Sequence, residues 1–158
     1  MGTRSRIGVM HGNVCKSVYC HWDGYLEHNG RILQEYYDSA RANHLVSLGD
    51  ISSLGPIIGD VHPFSKFELN TDAPDFAKLM AVHEQAEKEG WCTFYGRDRG
   101  ETGTDFAVDH TFADFLTRVD NCGAEYAYIM KDGEWYVTQY GSDLEPLSRA
   151  LQSQKESQ

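Results

Sequence analysis

The chain is predicted to fold as α+β: a single domain with a mainly antiparallel sheet and helices packed on one face. Three observations lead there. Two β-favouring runs, Glu125 to Met130 and Glu134 to Tyr140, flank Lys131-Asp132-Gly133, and Asp-Gly tolerates the positive φ angles of a tight hairpin. A second strand–turn–strand pattern opens the chain around Gly12-Asn13. Between these hairpins lie segments of helical periodicity that do not alternate strictly with strands, which argues against a doubly wound parallel sheet.

In order, Arg6 to His11 reads as a first strand and Ser17 to Trp22 as a second. Alternation in the second strand sets Val18, Cys20 and Trp22 against Tyr19 and His21. Asp23-Gly24 breaks that strand. The spacing Leu26, Gly30, Leu33, Tyr37 is helical. Asp38 or Ser39 then caps a second helix carrying Ala42, Leu45 and Val46, with Gly49 just past its end. The stretch from Asp50 through Pro63 is rich in turn formers and reads as a structured loop. Thr71-Asp72-Ala73-Pro74 starts a helix whose face is Phe76, Leu79, Met80 and His83, ending at Gly90. Trp91 to Tyr95 is a strand and Gly96 to Glu101 an exposed turn, followed by a mobile loop over Thr102 to Asp105. Asp109 or Thr111 caps a helix bearing Phe112, Phe115, Leu116 and Val119. A last helix, begun by Ser142 or Asp143, frays into a polar tail over 151–158.

With 158 residues, 41% hydrophobic and 24% charged, the chain is long enough and apolar enough for one buried core. No apolar run is long enough to span a membrane, and the first residues lead into a strand rather than a signal-peptide core, so a cytoplasmic protein is expected. The four cysteines show no paired spacing and read as reduced thiols. A formal charge of −10 argues against broad binding of large nucleic acids, which needs a surplus of Lys and Arg on one face.

The chemistry concentrates in Val18 to Gly30, where two histidines, a carboxylate and a thiol meet several aromatic groups. His21 and Asp23 are a candidate acid/base pair, with His28 nearby, but their spacing matches no metal motif, so no metal and no cofactor are expected. A bland alternative has Asp23 capping a helix and His21 packed beside Tyr19. A Cys20–His21 dyad is excluded if the strand is real, since adjacent strand residues face opposite ways. No Walker loop and no dinucleotide fingerprint is present. Arg97-Asp98-Arg99 between Gly96 and Gly100 is a candidate anion grip, with Arg4 at the entry to the first strand as a third guanidinium. Tyr19, Trp22, Tyr25, Tyr126, Tyr128, Trp135 and Tyr136 supply flat faces on which a base can stack.

The set Gly2-Thr3-Arg4-Ser5, Tyr19 to Tyr25, Leu48 to Leu54, Gly96 to Glu101, and Glu125 to Tyr128 with Trp135-Tyr136-Val137 resembles a family of small uncharacterised proteins encoded by tailed bacteriophages and some bacterial genomes. The stretch 59–75 matches none of its motifs. No activity carries over; the resemblance implies a setting, that of an accessory protein modulating host machinery or host defence. The resulting expectation is a noncatalytic counter-defence protein of the host cytoplasm. It would sequester a small anionic nucleotide through Arg4, His21, Trp22, Tyr25, Arg97 and Arg99, or block a host protein. The rival classes are a small nucleotide hydrolase or transferase using His21 and Asp23, and a homo-oligomeric interaction subunit.

Overall fold

The computed structural model describes residues 2–156. The fold is α+β in one domain, built on an eight-stranded mixed sheet. Strands β1 (Ser5–His11) and β2 (Val14–Cys20) form the first hairpin, and Gly12 at the turn takes a φ of 64° that favours glycine. Strands β6 (Tyr126–Lys131) and β7 (Glu134–Gln139) form the hairpin anticipated at Asp132-Gly133, whose φ angles of 52° and 79° are those of a tight turn with both central residues left-handed. The two hairpins are joined by parallel pairing of β1 with β6.

The short strands are β3 (Ile51–Ser53), β4 (Thr93–Phe94), β5 (Ala107–Asp109) and β8 (Glu145–Pro146). The sheet runs β4-β3-β2-β1-β6-β7-β8, and β5 also pairs with β2. The outer edge of β2 is therefore shared. Its Cys15 to Ser17 portion pairs with β5, while Cys20 pairs in parallel with Ile51 of β3.

Period-two alternation sorts the strands' side chains onto two faces. Ile7, Val9, Val18, Cys20, Tyr128 and Met130 enter one core together with Leu33, Leu45 and Leu147. Those leucines come from α1 (Arg31–Tyr36), which continues a five-residue π-helical segment at Leu26–Gly30, and from α2 (Ser39–Ser47) and α6 (Leu147–Glu156). This is the anticipated helical face. The opposite face is covered more sparsely: Cys15, Ala127 and Ile129 pack against Phe115 and Val119 of α5 (Phe112–Asn121).

Asp38 caps α2 by accepting from the Arg41 amide, and Gly49 follows that helix with a φ of 90°. Thr111 rather than Asp109 caps α5, because Asp109 accepts two hydrogen bonds from Arg118. The helix anticipated from Thr71 is α3 (Phe76–Glu89); the turns before it contain Pro74, and Gly90 ends it with a φ of 74°. Three segments differ from their sequence reading. The region read as a loop from Asp50 contributes β3, whose Ile51 is fully buried against Cys20. The segment read as an exposed turn forms α4 (Tyr95–Arg99), closed by left-handed Gly100. The last helix begins at Leu147, after β8, and is helical to Glu156; of the tail read as frayed, positions 157 and 158 lie outside the described residues.

Candidate functional site

The register of the sheet gathers one group of sequence-marked residues. Ser5 pairs with Cys20 across the first hairpin and with Tyr126 across the parallel pair. Arg4 therefore lies between the segment leaving β2 and the segment entering β6. Backbone hydrogen bonds fasten these segments: Glu125 N donates to Arg4 O at 2.9 Å, and Tyr140 N donates to Glu125 O at 2.8 Å. His21 and Trp22 stay in line with β2 because their amides donate to the carbonyls of Ile51 and Ser52, both at 3.0 Å.

Gly2, Arg4, His21, Trp22, Glu125 and Tyr140 line the resulting cleft of about 580 Å³. Gly2 lets the backbone pass close beneath Trp22: a Cβ there would stand 2.5 Å from the ring, which would have to shift. The His21 ring meets Trp22 edge-on at 4.6 Å, and its Nδ1 is 2.8 Å from Tyr19 Oη. Nε2 of His21 has no hydrogen-bond partner among the described residues. Burial, and then the Arg4 charge, lower the His21 pKa from its ordinary value, so the imidazole is neutral at pH 7.

The Arg4 guanidinium pairs with no carboxylate among the described residues. Glu125 lines the same cleft, but its oxygens accept from Gln139 Nε2 at 2.7 Å and Tyr140 Oη at 3.0 Å. Trp22 is 45% exposed and Tyr140 76%. Tyr140 also has a φ of 51°, an unusual backbone state for a bulky residue, held by its two contacts to Glu125. The cleft thus offers an unpaired cation, an open imidazole nitrogen and two aromatic rings.

Asn29, which sequence reasoning did not single out, holds this junction from behind. It is fully buried, and its Nδ2 shares its two hydrogens among Ser5 Oγ, Cys20 Sγ and the Trp22 carbonyl, each at 3.3 Å. Its partners are up to 24 positions away, so no local pattern points to it. Burial pushes the Cys20 thiol up to about 12, and its sulfur is engaged by Asn29 and Trp22, which removes it as a nucleophile. Asp23 does not act as a helix cap: it sits at a φ of 57°, and the π-helical segment behind Tyr25 has no side-chain cap. His21 is bonded to Tyr19, and His28 Nδ1 lies 2.9 Å from Asn29 Oδ1.

The other sequence-marked residues are placed elsewhere. Tyr25 stands 6.1 Å from the His28 ring and does not line the Arg4 cleft. Arg97 is 13% exposed at its side chain, and every nitrogen of its guanidinium is used. Nη1 donates to Gly59 O at 2.9 Å, Nη2 to Cys92 O at 3.0 Å, and Nε to Asp98 Oδ1 at 3.0 Å, while the group stacks on Phe94. Arg99 lies over the Phe64 ring at 3.9 Å and pairs with Glu68 at 2.6 Å and Glu101 at 3.4 Å. Of the aromatic set, Tyr128 and Trp135 are core residues, hydrogen-bonded to the carbonyls of Gly24 and Tyr37.

No family model, curated protein or solved structure matches this chain. Among the described residues no helix is long and apolar enough to cross a membrane.

Proposed function

We propose that the chain is a noncatalytic binding protein whose Arg4 cleft takes a small anionic ligand with a planar ring, a nucleotide being the class that fits. The observation that carries this reading is the Arg4 guanidinium, left without a carboxylate partner in a cleft flanked by exposed Trp22 and Tyr140. A guanidinium grips phosphate through a planar fork of donors, and an aromatic face accepts any base. The open Nε2 of His21 adds a polar contact beside Arg4. A cleft of about 580 Å³ has the size of small-molecule sites in general. Arg97 and Arg99 are left out of this site, since their donors are used within the protein.

The biological use is supported by the resemblance to phage-encoded proteins: sequestering a host nucleotide signal in the host cytoplasm, as a counter-defence protein. A sequestering protein returns its ligand unchanged, whereas an enzyme turns it over. Native mass spectrometry of protein purified from infected or signalling cells is the test. The expected result is a copurified nucleotide, recovered intact after denaturation and lost in Arg4→Ala. A ligand recovered as a hydrolysed product would support the hydrolase class instead. Protein free of nucleotide from every source would overturn the reading.

A further inference from the structure

The Arg4 cleft holds two opposite charges that are not joined to each other. Among the described residues lining it, only Arg4 and Glu125 are charged at pH 7. Gly2, Thr3, Trp22 and Gly123 have no ionisable side chain, and the His21 imidazole is neutral. Tyr140 keeps its phenolic proton, since its hydrogen bond to Glu125 and then the Glu125 charge raise its pKa. The backbones of the two charged residues are bonded, Glu125 N donating to Arg4 O at 2.9 Å. Their side chains nevertheless form no ion pair, either with each other or with any other described residue.

Glu125 is fixed in place. Both of its carboxylate oxygens are held by neutral donors, Gln139 Nε2 at 2.7 Å and Tyr140 Oη at 3.0 Å, and its carbonyl accepts from Tyr140 N at 2.8 Å. Such donors stabilise the ionised form without cancelling its charge. The field of that charge reaches a further neighbour: after burial, it is the next cause that raises the Tyr126 pKa.

An anion seated on Arg4 is therefore attracted by one fixed charge and repelled by another. The net pull grows little as the ligand gains negative charge, whereas the cost of taking that charge out of water rises steeply. Arg4 offsets one negative charge. Each further one faces Glu125 with no second cation among the described lining residues.

We infer that the cleft selects nucleotides by charge, taking a phosphodiester with a single negative charge in preference to phosphomonoesters and polyphosphates, and that Glu125 is the residue that disfavours the more highly charged forms. The inference rests on the nucleotide reading of this cleft. A phosphomonoester carries about 1.5–2 negative charges at pH 7, whereas a phosphate esterified twice has one ionisable oxygen and carries one. The chain's net charge of −10 acts in the same direction, opposing each anion in proportion to its own charge.

The test is calorimetric titration of the full chain, without divalent cations, with 3′,5′-cyclic adenosine monophosphate, adenosine monophosphate and adenosine triphosphate. The three share base and sugar and differ in phosphate charge. The expected affinity falls in that order, with the triphosphate weaker than the cyclic monophosphate by about tenfold or more. Glu125→Gln keeps an acceptor for Tyr140 while removing the charge, and should narrow that gap by about threefold. Thr3→Lys adds a cation to the cleft and gives the same reading should the first variant fold poorly. A triphosphate that binds as tightly as the cyclic monophosphate would overturn the charge selection and leave the nucleotide reading standing. So would a gap that Glu125→Gln, or Thr3→Lys in its place, leaves unchanged. A parent chain that binds none of the three would overturn both.

Discussion

At Arg4, a guanidinium stands in an open cleft beside Trp22 and His21, with no carboxylate partner among the described residues and with Glu125 engaged by Tyr140 and Gln139. At Arg97, the same chemical group is sunk between Gly59, Cys92, Asp98 and Phe94, and each of its nitrogens has an acceptor. The first is available for work on a ligand. The second joins the loop carrying Gly59 to the end of β4, and Asp98 completes the joint by accepting from the amides of His62 and Phe94. What separates the two is how many acceptors the fold brings to each, not the residue type. A guanidinium whose donors are already used inside the protein gains little from an external anion.

The largest effect expected from this contrast is on stability. Asp98 is fully buried, with 0% of its side chain exposed, and it satisfies Arg97 together with two backbone amides. Asp98→Ala leaves a mostly buried cation and two amides unpaired, and should cost about 3–5 kcal/mol of unfolding free energy. Urea denaturation followed by circular dichroism measures it. A midpoint unchanged in this variant would break the distinction between the two arginines.

Arg99 sharpens the contrast from the other side. Its pairs with Glu68 and Glu101 are on the surface, so Arg99→Ala should move neither the urea midpoint nor nucleotide binding beyond experimental error.

The smallest effect is a pH dependence at His21. Burial and Arg4 hold its folded pKa below the ordinary value of 6.5. The protonated form is disfavoured only in the folded chain. This contribution to stability is therefore present above about 6.5 and lost as pH falls from there through the folded pKa. Replacing Arg4 with Ala should raise the His21 pKa, and so should an anion seated in the cleft. NMR titration of the imidazole resonances reads both shifts. A His21 pKa that is insensitive to Arg4 would show that the two groups do not share an electrostatic environment.

The legible parts of the fold are those whose cause is local. Asp132-Gly133 announces its hairpin because two consecutive residues must take positive φ, and Asp38 announces α2 because its side chain caps an amide three residues on. The strands β3 and β5 are three residues long and exist because distant partners lie alongside them. Ile51, among serines and glycines, carries no strand periodicity of its own. The helix α4 was hidden by its glycine and its charges, and it is fixed by Tyr95 N donating to Asp50 O and by Asp98 reaching back to the Phe94 amide. Of the site, Arg4, His21 and Trp22 were legible as chemistry near one strand end. Glu125 joins them only through the β1–β6 pairing, which matches Ser5 with Tyr126, and Tyr140 follows through its bond to Glu125; no motif encodes either.

Calorimetric titration with adenosine monophosphate, compared with adenosine and repeated on Arg4→Ala, tests whether the Arg4 cleft is an anion site. The expected result is saturable binding of the monophosphate, much weaker binding of the nucleoside, and a loss of about 10–150-fold in Arg4→Ala, the worth of one charge-assisted hydrogen bond. Equal affinity for nucleotide and nucleoside, or an Arg4→Ala protein that binds as tightly as the parent, would contradict it.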